Sequence, residues 1–431
     1  MLLINQPKVG NLWLASFIIT AVFHSQLISA ELFDPTICLS DTFRSLSSTW
    51  NKTCPLPVDG DSVHESGTWS PWKSRPYCIE PLVKDVAAPP FCLYTFEPFR
   101  ENQGLGIITA PDLVASVVDA LDDSIVPLKH RSHPSSPLAG GGQEALAYDA
   151  KDLPGRGKGL VARRKISKFE VVMVYYPALI TRLDLFHALG PEMRQDVLER
   201  ALHQLPERQQ REVLALARST GSEPIEDILR TNIFGIELND VPHLGIFTRA
   251  SRINHDCTPN VYWRYSAQSL TVEIVAMQDI EAGNEIVQSY VPLGLSYNDR
   301  KEDLKNWGFN CTCSLCASSE KERALSDERR DRLQQIYYHL TEDIDLTSKG
   351  IEKLVKEMIS LVEKEQLEPQ LLVYYGIVAR AYMDINDFEA ARKYVALCEN
   401  LWTQYGGEDD DSLEGVQQLR RDLSKREIGQ L

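Results

Sequence analysis

The chain has 431 residues, 61 acidic against 45 basic side chains and a formal charge of −16, with 43% of its residues hydrophobic and 25% charged. That is the composition of a folded chain with room for two or three cores, and it excludes disorder of the whole. The acidic balance argues against direct nucleic-acid binding through neutralised phosphates, and no window offers the roughly 18 uninterrupted apolar residues of a membrane span.

Residues 1–30 carry one charge, Lys8, ahead of an apolar run at 12–23, then Ser25, Ser29 and Ala30. This is the layout of a secretory signal cleaved after Ala30. Cys38, Cys54, Cys78 and Cys92 follow, an even number that allows two disulfides in any of three connectivities, and Asn51-Lys52-Thr53 forms a glycosylation sequon. Pro111-Asp112 opens a helix expected over 112–121, and the Ser, Pro and Gly around 132–142 suggest a linker that closes a cysteine-containing region, 31–142.

Val, Ile, Tyr and Phe dominate 159–176 with a break at Ser167-Lys168, which predicts two short strands. Over 184–230 the spacing of Leu185, Leu189, Met193, Val197, Leu198 and Leu202, then Val213, Leu214 and Leu216, predicts two or three inserted helices. Strand-like runs return at 261–265, 270–276 and 285–287. From Glu320 the pattern is helical to the end, apart from the acidic run at 408–411, which reads as a solvated loop. Ala379, Tyr382, Phe388 and Ala391 have the spacing of one tetratricopeptide hairpin, and equally of a plain helix pair with small residues at its crossing. The fold class is therefore α+β: a small-sheet β-fold with a helical insert, followed by a helical C-terminal domain.

The densest chemistry lies in Arg252-Ile253-Asn254-His255-Asp256-Cys257-Thr258-Pro259-Asn260, between strand-like runs, where a rigid scaffold carries function on loops. Pro259 and Asn260 stiffen a turn, Asn254 and His255 supply hydrogen-bonding groups, and Cys257 offers a thiolate. Taken singly, each of these is more often a core or turn residue. Cys311, Cys313 and Cys316 then place three thiols within six residues. Adjacent thiols in C-x-C are too close for an easy mutual disulfide but suit two ligands of one ion. A structural zinc takes four ligands; the fourth is Cys257 or Cys398, and Cys257 is preferred because it lies in the other constrained loop, whereas Cys398 falls on an amphipathic helix.

Residues 252–260 resemble the N-H-x-C-x-P-N signature of SET-domain protein-lysine methyltransferases, and Cys311 to Cys316 resemble their post-SET C-x-C-x-x-C. Gly157-Lys158-Gly159-Leu160 is similar to the opening G-x-G of that fold, and Glu285-Ile286-Val287-Gln288-Ser289-Tyr290 to its closing motif. The resemblance covers about residues 151–317. The helical insert and tail bring it nearest the SET-and-MYND subclass, but no finger of clustered Cys and His lies in the insert, so functions tied to that finger are not carried over. The resemblance implies a SET domain at 143–290 with its insert at 184–230, a zinc-bound post-SET segment at 291–317, and a tetratricopeptide-like helical domain at 318–431. It implies S-adenosylmethionine as cofactor, held by Lys158, Gly159 and Leu160 through their backbone, by Asn254 and His255, and by Asn232, with Phe309 over the adenine. Tyr290 would be the catalytic residue and would also touch the cofactor. Cys257, Cys311, Cys313 and Cys316 would hold a structural zinc.

The implied reaction moves a methyl group directly to the ε-amine of an accessible lysine in a protein substrate, histones among the candidates, with no catalytic metal. A lysine with a pKa of about 10.4 must first be made neutral by desolvation and by the cationic sulfur. The competing expectation is a catalytically idle SET fold, secreted or not, that presents its tail to partners. The two ends of the sequence pull apart on location: the N-terminus points to the secretory pathway, whereas thiolate zinc and S-adenosylmethionine belong to the nucleus or cytoplasm.

Overall fold

The computed structural model describes residues 71–82, 89–140, 143–342, 346–406 and 412–428. The expected signal, Cys38, Cys54, the Asn51 sequon and the acidic run at 408–411 lie outside them.

Thirteen strands among the described residues form three sheets. The largest has six strands in the order β1 (Tyr77–Ile79), β2 (Phe91–Phe96), β3 (Leu105–Thr109), β7 (Leu179–Arg182), β9 (Val241–Ile246), β8 (Ile233–Leu238). Four strands run β10 (Asn254–His255), β13 (Glu285–Gln288), β5 (Gly157–Ala162), β4 (Tyr148–Leu153), and three run β11 (Val261–Ser266), β12 (Thr271–Ala276), β6 (Val171–Tyr175). Every residue of β2, β3 and β12 is buried, and β2 and β3 lack the apolar-polar alternation of a half-exposed strand. One hydrophobic core is shared among all three sheets.

The boundary expected at 142–143 does not divide this architecture, because β3 pairs in parallel with β7 and extends the sheet of the downstream domain. Gly106 makes the pairing close: a Cβ there would come within 2.8 Å of Leu179. The β1–β2 register places Cys78 opposite Cys92, and the two form a disulfide. The helix expected over 112–121 stops at Ser116 and resumes as a short 3-10 turn, Asp119–Leu121. The expected linker is instead packed. Ser135 and Ser136 are each 2% exposed, Ser135 Oγ accepts from the backbone N–H of Val174 at 2.8 Å, and His133 bonds the Val171 carbonyl at 2.9 Å. These side chains serve the open edge of β6 as a further strand would.

The insert holds α1 (Pro191–Gln204), α2 (Glu207–Leu214) and α3 (Pro224–Asn232) after a single helical turn, Leu185–Ala188, and its apolar faces cover the six-stranded sheet. Beyond the strands come α4 (Tyr297–Leu304), then α5 (Glu320–Glu342), α6 (Ser348–Glu365), α7 (Leu371–Asp384), α8 (Phe388–Tyr405) and α9 (Ser412–Ile428). α7 is buried along most of its length and forms the centre of this tail. With Asp387 capping α8, α7 and α8 make a helical hairpin in which Ala379 and Ala391 are fully buried. The tail packs on Val275 and Met277, and Tyr405 meets Tyr262 with ring centres 5.7 Å apart. Among the described residues no helix is long and apolar enough to cross a membrane.

Candidate active site and four-thiol centre

The site forms where the chain after a 3-10 turn, Ala250–Arg252, runs beside β13. β10 pairs in parallel with β13, Asn254 opposite Val287 and His255 opposite Gln288. Asn260 latches the loop that follows: its Nδ2 donates to Glu285 O and its Oδ1 accepts from Val287 N, both at 2.8 Å. Within the loop, Asp256 Oδ1 accepts from the N–H and hydroxyl of Thr258, both at 2.9 Å, a turn ahead of Pro259. The motif is thus a brace that fixes the two residues ahead of it.

Asn254 Nδ2 donates to Glu285 Oε1 at 2.8 Å, and Glu285 in turn pairs with Arg156 at 3.1 Å. Arg156 also reaches the His255 carbonyl at 2.9 Å. Gly159 faces this group closely: a Cβ on it would lie 2.7 Å from Asn254 Nδ2 and 2.9 Å from Glu285 Oε1. β13 pairs with β5 only at Val161 and Leu160, so the backbone of Gly157, Lys158 and Gly159 runs on beyond the pairing beside Asn254. That free edge offers N–H and C=O groups to a ligand. The Lys158 side chain turns to Asp152 at 3.2 Å and is half-exposed, so any role of Lys158 in the site falls to its backbone, whereas Leu160 is buried in the core.

His255 is 4% exposed and both ring nitrogens are engaged within the protein. Nδ1 accepts the backbone N–H of Tyr290 at 3.0 Å, which leaves the proton on Nε2, 3.3 Å from Cys257 Sγ. Burial lowers its pKa to about 4, so the ring is neutral near pH 7. Its side chain therefore ties the Tyr290 backbone to the thiol cluster and has no nitrogen left for a cofactor.

Tyr290 donates its hydroxyl to Ile253 O at 2.8 Å, and burial raises its pKa. It lines a small pocket with Asn232, Ser251, Trp263, Gln288 and Trp307. Asn232, at the end of α3, spends its amide N–H groups on Ala217 O and Ile228 O at 2.7 and 2.8 Å, which leaves its side-chain oxygen as the acceptor it can offer. Phe309 stands edge-on to Tyr290, ring centres 6.3 Å apart, and 6.1 Å from His255. Trp307, which sequence reasoning passed over, lies closer to Tyr290, at 5.8 Å. Its signal was the Trp-Gly-Phe triplet: Gly308 has φ of 72°, and a Cβ there would collide with the Ser219 carbonyl of the insert. The glycine lets both aromatics sit against the site.

Cys257, Cys311, Cys313 and Cys316 converge with all four sulfurs within 4.8 Å of one another. None of them is in a disulfide, and the Cys257 sulfur lies 3.9 Å from that of Cys311 and 3.5 Å from that of Cys316. Four sulfurs bound tetrahedrally at about 2.3 Å would stand roughly 3.8 Å apart, so the thiols suit one metal ion. Backbone N–H groups of Cys313 and Cys316 point at Cys311 and Cys313 sulfurs, each at 3.4 Å, as negative thiolates require. Cys398, the alternative fourth ligand, is buried in the helical tail and bonds Leu372 O.

On the far side of Trp263 and Gln288 a cleft of about 200 Å³ opens between residues 289–295 and helices α5 and α7. Trp263 and Gln288 line both openings.

The family described as SET domain matches residues 157–291. Over 274 residues the chain is 27% identical to histone-lysine N-methyltransferase set5 of Schizosaccharomyces pombe, covering 62% of this chain and 82% of that protein. It is 37% identical over 171 residues to N-lysine methyltransferase SMYD2-A of Danio rerio, and 34% identical over 102 residues to N-lysine methyltransferase SMYD2 of Homo sapiens. These two matches cover 39% and 23% of this chain, and the chain spans only 33% and 23% of those relatives' length. Residues 157–291 thus match the SET-domain family, and the relatives that share sequence with the chain carry the names of protein-lysine methyltransferases.

Proposed function

We propose that this protein transfers the methyl group of S-adenosylmethionine to a lysine side chain of a protein substrate. The observation that carries this is the place of Tyr290 in a small pocket that shares Trp263 and Gln288 with a larger cleft, whose lining includes its chain neighbours Ser289 and Val291. Methyl donor and lysine would enter from opposite sides and meet beside its hydroxyl. Asn254, Asn232 and the backbone of Lys158, Gly159 and Leu160 would hold the cofactor, with Phe309 and Trp307 over it. When bound, S-adenosylmethionine supplies an electrophilic methyl on a cationic sulfur.

The protein's own groups set up the acceptor. Aromatic walls at Trp263, Tyr290 and Trp307 exclude water, which disfavours ammonium and favours the neutral amine. The Tyr290 proton is committed to the Ile253 carbonyl and its raised pKa keeps it a phenol, so it acts as an acceptor that aligns an amine N–H rather than as a base. The amine sheds one proton to solvent before it attacks, and the product leaves as a methylammonium.

The four thiols would hold a structural zinc that fastens residues 291–317 against the SET domain at 143–290, so that Trp307 and Phe309 cover the site. The tail at 318–431 would be tetratricopeptide-like around the α7–α8 hairpin, with Tyr382 and Tyr394 stacked 5.6 Å apart. The expected test is transfer of labelled methyl to proteins of a total cell extract by the full chain and by Tyr290→Phe. Discrete labelled bands that fade in the variant support the enzyme. A folded, metal-loaded protein that binds cofactor yet labels nothing would instead be an idle SET fold that presents its tail to partners.

A further inference from the structure

The larger cleft holds positive charge that methyl transfer does not use. Arg300 on α4 and Arg330 on α5 are 2% and 4% exposed. Both donate through Nη1 to the same carbonyl, that of Leu295, with Arg330 at 3.0 Å. Leu295 and Arg330 line the cleft, and Arg330 is the one charged side chain among its described lining residues.

Carboxylate partners are short. Glu365 Oε2 pairs with Arg330 Nε at 2.9 Å but also accepts from Ser326 at 2.6 Å, and its other oxygen is taken by Arg329 at 2.5 Å. Arg300 pairs with no carboxylate among the described residues, and its Nε and Nη2, together with Arg330 Nη2, are buried without a partner. On Arg300, which stands behind the cleft lining, Nε and Nη2 form the side-on edge of the guanidinium; on Arg330, whose Nε is held by Glu365, Nη2 alone is left to meet a carboxylate in the cleft. Buried donors are almost always satisfied, and an unpaired buried cation is costly, so these atoms call for an anion that the chain itself does not supply. The thiol cluster is not that anion at hydrogen-bond range, since among the described residues neither guanidinium bonds a sulfur.

We propose that Arg330, backed by Arg300, forms a carboxylate subsite of the acceptor cleft that takes an Asp or Glu of the substrate peptide. This rests on the methyl-transfer function for its lysine and adds the substrate's second recognition element. Leu295 follows Tyr290 by five residues. That much chain spans at most about 17 Å, so the acidic residue lies within about five extended positions of the lysine. The net charge of −16 opposes an acidic peptide at long range, but that repulsion is screened beyond roughly 10 Å, whereas the buried pair acts at contact.

The test uses lysine-centred peptides that differ only in Glu or Gln at each of the flanking positions, with phosphoserine and serine as a second pair. Binding to the full chain is read by fluorescence anisotropy and, with S-adenosylmethionine added, methylation by label transfer. At one or two positions Glu should bind about ten-fold tighter than Gln, and Arg330→Gln should reduce the ratio to below about two-fold while Arg330→Lys keeps part of it. No Glu preference at any position of the parent protein overturns the subsite, whatever the variants do. A preference for phosphoserine without one for Glu overturns the carboxylate assignment. A Glu preference that survives in folded Arg330→Gln, accompanied by loss of bound zinc, assigns the arginines to balancing the thiolates and overturns it as well. A Glu preference in binding without methylation of any peptide supports the subsite and counts against the transferase.

Discussion

Two glycines two residues apart in β5 make opposite predictions. Gly157 has φ of 70° and open space around an added Cβ, whereas Gly159 lacks a positive φ but has Leu153, Asn254 Nδ2 and Glu285 Oε1 crowded where a Cβ would go. Gly157→Ala should therefore cost only backbone strain, about 1 kcal/mol of stability, and leave cofactor affinity near that of the parent. Gly159→Ala meets three side-chain ends that can yield, so its cost to folding is also small, about 1 kcal/mol. What yields is the Asn254–Glu285 pair, at 2.8 Å in the parent. Losing one well-placed hydrogen bond of about 1–3 kcal/mol from the cofactor site weakens binding by roughly 5- to 150-fold. Urea denaturation gives the stabilities, and calorimetric titration with S-adenosylmethionine gives the affinities. Equal affinity in Gly159→Ala and the parent would refute the placement of Asn254 in the site, and a larger affinity loss in Gly157→Ala would refute the division of roles.

If the phenol of Tyr290 aligns the amine rather than binds the cofactor, Tyr290→Phe should lower kcat by about a hundred-fold and leave cofactor Kd within about three-fold, measured by single-turnover kinetics and calorimetry; a Kd that collapses with kcat would contradict this. Cys311→Ser, or chelation of the parent, should remove one metal ion per chain and shift the fluorescence of Trp307 while the far-ultraviolet circular dichroism of the cores persists. Metal analysis beside both spectra decides, and unfolding of the whole chain would show that the thiol centre holds more than the cover of the site. His243, 1% exposed and bonded to Thr109 at 2.8 Å, has its pKa lowered to about 4 by burial. The unfolded chain takes up its proton near pH 6.5 and the folded one only near 4, so stability falls as pH drops through that window, by on the order of 3 kcal/mol from this residue. His243→Gln should flatten that arm of the stability curve in denaturant titrations, and an unchanged slope would assign it to other groups.

The motifs were legible because each carries its chemistry locally. The C-x-C-x-x-C run needs its spacing to reach one ion, and Cys257 was preferred over Cys398 from loop position alone; the convergence of the four sulfurs agrees with both. The helical periodicity of 184–230 and of the tail also shows in the sequence, since each helix has a face to bury. The strands at 91–96 and 105–109 were not seen, because strands buried on both sides lose the alternation that marks a half-exposed strand. For the same reason 31–142 looked like a separate region, although pairing of β3 with β7 depends on residues more than 70 positions apart. The Ser-Pro-Gly stretch misled by composition: small polar residues suit a linker, but here Ser135 serves a strand edge. His255 was read among the cofactor ligands; its two ring bonds, to the Tyr290 backbone and to Cys257, make its side chain the link between Tyr290 and the thiol centre, so contact with a cofactor would fall to its backbone. That role depends on a tautomer and two partners 2 and 35 residues away, which no spacing encodes.

Methyl transfer to lysine beside Tyr290 would leave the transferred methyl on the acceptor side chain. The decisive experiment is tandem mass spectrometry of proteins incubated with the full chain and deuterated-methyl S-adenosylmethionine. Heavy methyl should appear on the ε-amine of lysines in a few proteins and be lost when Tyr290→Phe replaces the parent. Heavy methyl found on other side chains, or label on lysine that is indifferent to Tyr290, would contradict transfer to lysine at that site.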